Sequence, residues 1–456
     1  MIVTLLRCLN DLRSWAKDLI NQRPLLVGLA VAVIAFSAGT FVSKVVIPAL
    51  VNPSESLSER GHDFAAYYTG AWETARGNSP YHAVHVATHI AYVLDEAAKA
   101  ELQTAASEIP GYIYPPPLAF LFRPFVSLGF RAALTIWLAV NCGVVLLCGM
   151  LCVRLFGNLA NPLFAWSVGA LVFLASMPTF ENVLLGQMNY TMLVLCLFAY
   201  VLAERQHSYG AGVLLALASW IKLTPGFLLL YFVWHRRDWK FLQAFAISAI
   251  VIGALSVWWI GIEQMRYYLL HVLPGGGPNQ LNLDNKSFLG MIDRLFGPNP
   301  LMSPLFDGPE LKALLKLALL FALLWFSTQA RQNVLLRLGE TQASERLIFA
   351  FTLLLMLLCQ PLLRVHHLIF AFPMLIAVAA HIQFERRSLL AGFLLVIVML
   401  LLNSRGWNAF EKFNEHWISV FLIAPQAWGL LLLATLGYFC IGRTSTIRIA
   451  SQPGDG

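Results

Sequence analysis

The residues with chemical potential fall into a few short clusters, and one of them carries a carboxylate. Gly61-His62-Asp63-Phe64-Ala65-Ala66-Tyr67-Tyr68 continues through Trp72, Gly77 and Pro80-Tyr81. Asp63 stands where a helix over 64–76 should begin, so it could simply cap that helix. It could equally act as a general base, with Tyr67, Tyr68 and Trp72 forming the stacking wall that sugars suit. Lys222, in Trp220-Ile221-Lys222-Leu223-Thr224-Pro225, is the clear lysine inside an apolar run. An ammonium at such a position is expensive unless it snorkels outward or meets an anion such as a phosphate. Arg364-Val365-His366-His367 forms a tight turn between two apolar runs. It reads either as a set of interfacial anchors or, with Lys222, as a cationic pocket for a lipid-linked phosphate.

Three weaker clusters accompany these. Gly186-Gln187-Met188-Asn189 opens an apolar run and offers either a polar cap or amides aimed at substrate hydroxyls. Asn285-Lys286-Ser287 could cap a helix whose amide donors and Lys286 meet an anion, or could be a solvated loop. His82, His85 and His89 share a helical face, but no carboxylate stands at matching spacing, which favours a polar face over a metal site. Tyr112-Ile113-Tyr114-Pro115-Pro116-Pro117 stiffens the approach to a short helix.

The elements that must hold these clusters follow from composition. The chain has 456 residues, 58% hydrophobic and only 12% charged, with a mean hydropathy of +0.68. Soluble proteins carry about 25% charged residues, so this chain cannot clothe a water-facing surface of its size. A soluble enzyme, a disordered chain and a secreted disulfide scaffold are excluded, leaving an all-α polytopic membrane protein. The net charge of +7 does not point to nucleic acid, because the basic residues are scattered in small groups between apolar stretches. The seven cysteines show no CxxC or Cys/His spacing, so no zinc site is expected.

Apolar runs are expected at 25–42, 131–155, 162–180, 188–204, 209–234, 241–262, 311–329, 346–362, 365–383, 388–403 and 418–441. The stretch 116–128 is ambiguous. Either it crosses the membrane and 209–234 is one helix, or it is a short non-crossing helix and 209–234 breaks at Lys222 to Pro225. The second solution is preferred: Pro225 removes a backbone donor and Lys222 is costly in a continuous lipid-facing helix. It places the basic groups Arg154, Arg205, Arg236-Arg237, Arg331/Arg337/Arg346, Arg386-Arg387 and Arg443/Arg448 inside. Outer loops 51–115, 262–310 and 404–417 then collect the polar chemistry on the other side. Residues 1–24 read as a basic cytoplasmic amphipathic tail, 25–442 as one membrane domain of about 11–12 transmembrane segments with helical outer loops, and 443–456 as a second cytoplasmic tail.

Taken in order, His62-Asp63-Phe64 with Tyr67, Gly77 and Tyr81, Tyr114-Pro115-Pro116, Gly186-Gln187-Met188-Asn189, Ile221-Lys222-Leu223-Thr224-Pro225, Arg236-Arg237, Asn285-Lys286-Ser287 and His366-His367 resemble glycosyltransferase family 87. These are polyprenyl-phosphate-mannose-dependent mannosyltransferases of the GT-C type. The resemblance implies a GT-C fold and an inverting transferase at the outer face of a bacterial plasma membrane. It also implies a polyprenyl-phosphate sugar donor, a lipid or glycan acceptor, and neither a nucleotide sugar nor an essential metal; no cofactor and no nucleic acid partner are expected. It places Asp63 as the catalytic base and His366 and His367 as the family's paired histidines. Lys222, Arg364 and Lys286 are then expected on the donor phosphate, and His62, Tyr67, Tyr68, Tyr114, Gln187, Asn189, Asn285 and Ser287 around the substrates. Two departures, Lys286 in place of a glutamine and Leu363-Arg364 in place of Ser-Trp, add positive charge near the presumed phosphate.

Such chemistry is self-consistent. One base takes the acceptor proton, and a phosphate leaves without a general acid when cations stabilise its growing charge, so paired carboxylates are not required. A flippase or transporter would instead place carboxylates within the spans and show repeat symmetry, whereas here the spans are almost free of carboxylates and no internal repeat is found. An arabinofuranosyl transferase would also need Asp63, whereas a non-catalytic scaffold would tolerate its loss.

Overall fold

The computed structural model describes residues 24–48, 61–81, 111–157, 162–273, 284–298, 304–306, 308–382, 386–404 and 419–440. The expected basic helix before residue 24, the histidines at 82, 85 and 89, the glycine run at 275–277 and the tail 443–456 lie outside them. Among the described residues every regular element is helical.

Among the described residues, five helical stretches are long and apolar enough to cross a membrane: Leu25–Val46, Phe130–Phe156, Leu163–Leu184, Trp239–Ile260 and Pro309–Leu338. Shorter apolar helices cover Asn189–Glu204, Ser208–Ile221, Val365–His381 and Leu389–Asn403. The long ones carry bulky apolar side chains on open surface. Ile250 and Trp258 are 72% and 84% exposed, and Leu314, Phe321 and Trp325 are likewise bare. Exposed apolar surface on that scale is stable only against lipid.

In chain order the elements used below are α1 (Pro24–Phe41), α2 (His62–Ala75), α3 (Pro116–Val126), α4 (Phe130–Phe156), α5 (Pro162–Leu174), α6 (Met177–Leu184), α7 (Asn189–Glu204), α8 (Ser208–Ile221), α9 (Trp239–Ile260), α10 (Ile262–Tyr267), α11 (Phe288–Leu295), α12 (Pro309–Leu338), α13 (Gln342–Leu358), α14 (Phe372–His381) and α15 (Arg386–Asn403). Their limits follow local chemistry. Ser176 caps α6 by accepting from the Thr179 amide, Asp238 caps α9 through the Phe241 amide, and Thr341 with Ser344 forms a capping box on α13. α14 is buried on all sides and packs on α4, α5 and α13, so it is the axis of the bundle.

Two stretches that the sequence left ambiguous are broken or short here. α8 stops at Ile221, Lys222 is extended (φ −149°, ψ 128°), and a 3₁₀ turn runs from Thr224 to Leu228. The run 209–234 is therefore interrupted at Lys222. α3 has 11 residues, about 16 Å of helix, roughly half of what a hydrocarbon core needs.

Candidate functional site

The expectation that Asp63 caps its helix is corrected by the structure. α2 begins at His62 behind Gly61, which adopts φ +76° and provides no side-chain cap. The first amides of α2 instead find carbonyls at the end of α6: Gly61 N–H donates to Leu184 O (2.7 Å), and the Asp63 and Phe64 amides both donate to Leu185 O (3.1 Å). The electropositive start of one helix meets the electronegative end of another, which leaves the carboxylate of Asp63 unspent.

That carboxylate is only 4% exposed. Its Oδ2 accepts from Gln187 Nε2 at 2.6 Å, and its Oδ1 lies 3.7 Å from His62 Nδ1. Burial raises the Asp63 pKa, but the bond from His62, the charges of His366 and His62 and the bond from Gln187 outweigh it, holding the carboxyl below its ordinary value. Asp63 is therefore a buried, ionised acceptor.

Gln187 is the hub. Its Oε1 accepts from Tyr67 OH (3.0 Å), while Nε2 serves Asp63 and also faces His366 Nε2 at 3.4 Å. The positive φ of Gly186 (+71°) turns the chain so that Gln187 points inward, and Trp137 Nε1 fixes that turn by donating to Gly186 O (2.7 Å). Across the cleft Tyr67 meets Tyr114 edge-on, with ring centres 4.9 Å apart.

The cationic side is assembled from the break after α8 and from the turn before α14. His366 and His367 lie in the 3₁₀ segment Val365–Ala371, their rings edge-to-face at 4.5 Å. The backbone carbonyl of His366 accepts from Asn182 Nδ2 and from Asn189 Nδ2 (3.3 Å). Lys222 Nζ donates to Asn189 Oδ1 at 2.7 Å and stands 3.5 Å from His367 Nε2. His367 Nδ1 accepts from the Arg364 amide (3.2 Å), so a neutral His367 carries its proton on Nε2. The Lys222 ammonium and His367 Nε2–H are thus two donors 3.5 Å apart, a pairing that a shared anion would complete. Arg364 is half-buried with its Nε unpartnered among the described residues.

The remaining expected residues take structural tasks. Asn285 Oδ1 accepts from the Leu363 amide (3.0 Å), its Nδ2 donates to Pro361 O (2.8 Å), and Ser287 caps α11 through the Gly290 amide (2.9 Å). The Lys286 amide adds a bond to Leu363 O (2.7 Å), so the tripeptide is zipped along the turn that carries Arg364, His366 and His367. Its side chain is buried there, with the fully buried Arg294 beneath donating to Asn285 O (3.0 Å). Tyr68 is not part of the cluster: its hydroxyl donates to Val126 O and its ring packs on Phe64 and Phe130. Trp72 carries Arg76 over its ring instead of facing Asp63.

Sequence reasoning missed Glu181, Asn182 and Trp137. Glu181 Oε2 lies 4.0 Å from His366 Nδ1, the nitrogen turned away from Gln187. The signal available was that Glu181 and Asn182 lie just ahead of the Gly186-Gln187-Met188-Asn189 motif. The arrangement as a whole sets one ionised carboxylate opposite a lysine and a pair of histidines, with Gln187 touching Asp63 and His366. It can take a proton on one side and hold an anion on the other.

The model of glycosyltransferase family 87 matches residues 112–361. That segment contains Tyr114, Gln187, Asn189, Lys222 and Asn285-Lys286-Ser287; Asp63 lies before it, and His366 and His367 just after it. A Mycobacterium tuberculosis protein named polyprenol-phosphate-mannose-dependent alpha-(1-2)-phosphatidylinositol pentamannoside mannosyltransferase is 28% identical over 60% of this chain, a match spanning 59% of that relative's length. Its Mycolicibacterium smegmatis namesake is 29% identical over 75% of this chain and 79% of its own length. A second M. tuberculosis protein, named polyprenol-phosphate-mannose-dependent alpha-(1-2)-phosphatidylinositol mannoside mannosyltransferase, is 24% identical over 75% of this chain and 78% of its own length. No solved structure matches. A family match across more than half of an all-helical, lipid-facing chain, over the Gln187, Asn189 and Lys222 elements of the cluster, establishes that the protein belongs to glycosyltransferase family 87.

Proposed function

We propose that this multi-pass membrane protein is an inverting mannosyltransferase that moves mannose from a polyprenyl-phosphate donor to a lipid or glycan acceptor. Asp63 accepts the proton of the acceptor hydroxyl as that oxygen attacks the anomeric carbon. The bond from that carbon to the donor phosphate breaks, and its electron pair leaves on the phosphate oxygen. Lys222, His366, His367 and Arg364 stabilise that charge, with Lys286 at the edge of the turn. Gln187 holds Asp63 and, with Asn189 and the Tyr67–Tyr114 pair, shapes the sugar site between the two halves.

The observation that carries this reading is the direct bridge from an ionised, buried carboxylate through one amide to a histidine–lysine cluster. The names of the mycobacterial relatives favour mannose and an inositol-lipid acceptor. The charge sorting in the sequence favours a plasma-membrane location with this cleft on the extracytoplasmic side, in a single membrane domain over 25–442.

Asp63→Asn keeps the shape and removes the base. Membranes containing it should transfer mannose from polyprenyl-phosphate-mannose about 100- to 10,000-fold more slowly than wild type, the usual contribution of a general base. Undiminished turnover in a folded Asp63→Asn protein would falsify the assignment.

A further inference from the structure

The opposite end of the bundle holds a cavity that none of the cleft residues lines. α7 starts at Asn189 in the cleft and ends at Glu204, about 22 Å away along its axis. There, between the ends of α4 and α7 and the start of α13, lies a cavity of about 680 Å³. Its floor is apolar, made by Leu151 and Leu155 of α4 with Phe198 and Leu202 of α7. Its rim is cationic, with Arg154, Arg205 and Arg346 around it.

The two helices present the same pattern to this cavity. On α4, Leu151 lies three residues before Arg154; on α7, Phe198 and Leu202 lie seven and three residues before Arg205, which follows the last helical residue. Each helix therefore offers an apolar strip ending in a guanidinium, and Phe198 and Arg154 are open to the surroundings. Arg346 is already committed: its Nε and Nη2 donate to Glu204 (3.0 and 3.3 Å), and its Nη1 points to Leu155 O (3.4 Å). The side chains of Arg154 and Arg205 have no hydrogen-bond or ion-pair partner among the described residues. Since Glu204 is neutralised by Arg346, the rim carries an excess of two positive charges over an apolar floor.

We propose that this cavity binds one anionic phospholipid, its acyl chain on Leu151, Leu155, Phe198 and Leu202 and its phosphate between Arg154 and Arg205. The match is of both charge and polarity. A free phosphate would leave the apolar floor wet, and a zwitterionic lipid would bring its own cation up to a rim that already carries two unpaired positive charges. The site is independent of the proposed transfer chemistry, because none of its residues touches the Asp63 cleft.

Native mass spectrometry of the purified full-length protein tests this, with phosphatidylglycerol, phosphatidylcholine and inorganic phosphate offered in parallel. Wild type should retain a single phosphatidylglycerol at least tenfold more strongly than phosphatidylcholine, and Arg154→Gln/Arg205→Gln should lose that preference. Both arginines are surface side chains, so the double variant folds. Lys240→Gln, which removes an exposed cation at another helix end, should retain it. Equal retention of the two lipids, unchanged retention by the double variant, equal loss in Lys240→Gln, or binding of inorganic phosphate without lipid would each overturn the proposal.

Discussion

The surroundings of Asp63 keep it charged although it is buried, which is what the proposed base requires. Its carboxyl is held below the ordinary value by His62, His366 and Gln187 against the opposing pull of burial. A group lowered in this way is ionised above its own pKa and loses its charge only as pH falls through that value. The rate of transfer should therefore persist to pH values below the usual carboxylate range, about 3.9, for as long as the fold survives. Gln187→Leu removes one of the lowering bonds and the tie to Tyr67. We expect turnover to drop about tenfold, the worth of one hydrogen bond to a charged group, and the acid limb of the pH–rate profile to move to higher pH. An acid limb in the same place as wild type would show that Gln187 does not tune Asp63.

At the scale of elements, the site depends on three interruptions: the turn between α6 and α7, the break after α8 and the 3₁₀ segment before α14. Each supplies backbone geometry that a continuous helix cannot. Gly186 is the most constrained, since a Cβ there would sit 2.7 Å from Phe64 Cβ at a φ of +71°. Phe64 belongs to the helix of Asp63, is fully buried and cannot yield cheaply. Gly186→Ala should destabilise the protein by about 1–3 kcal/mol, visible as a lower Tm in detergent, and should lose activity beyond that because it displaces Gln187 relative to Asp63. Wild-type Tm and turnover together would sink the idea that this turn sets the register between base and cations.

For the whole molecule, the two ends of the bundle differ in chemistry, with the Asp63 cleft at one and the Arg154–Arg205 rim at the other. They should accordingly face opposite aqueous compartments. Single cysteines replacing exposed Arg76, beyond the cleft helix, and exposed Gln206, beyond α7, should be labelled by an impermeant maleimide from opposite sides of sealed vesicles. Labelling of both from one side would reject the topology proposed from the sequence. Native Cys148, Cys152 and Cys196 are fully buried and should stay silent until the protein unfolds.

The sequence by itself determined the solvent. Too few charges and long apolar runs dictate helices in lipid, and most of the runs it marks start and stop within a few residues of the helices, because hydropathy is local and additive; α12 runs nine residues past the run at 311–329, where its sequence turns polar. It also made Lys222 conspicuous, since one ammonium in an apolar run has no local excuse, and the proline three residues on marked where the helix stops. What it left open was decided by contacts between distant segments. Asp63 looked like a cap until α6 supplied the carbonyls that satisfy α2. Gln187 and Asn189 looked like a helix start until Asp63, Tyr67, His366 and Lys222 took up their amides. Asn285 and Ser287 looked like ligands for a substrate until the Pro361–Leu363 turn consumed their side chains. A polar side chain in a membrane protein has few possible partners, and only the tertiary structure brings the chosen one within reach.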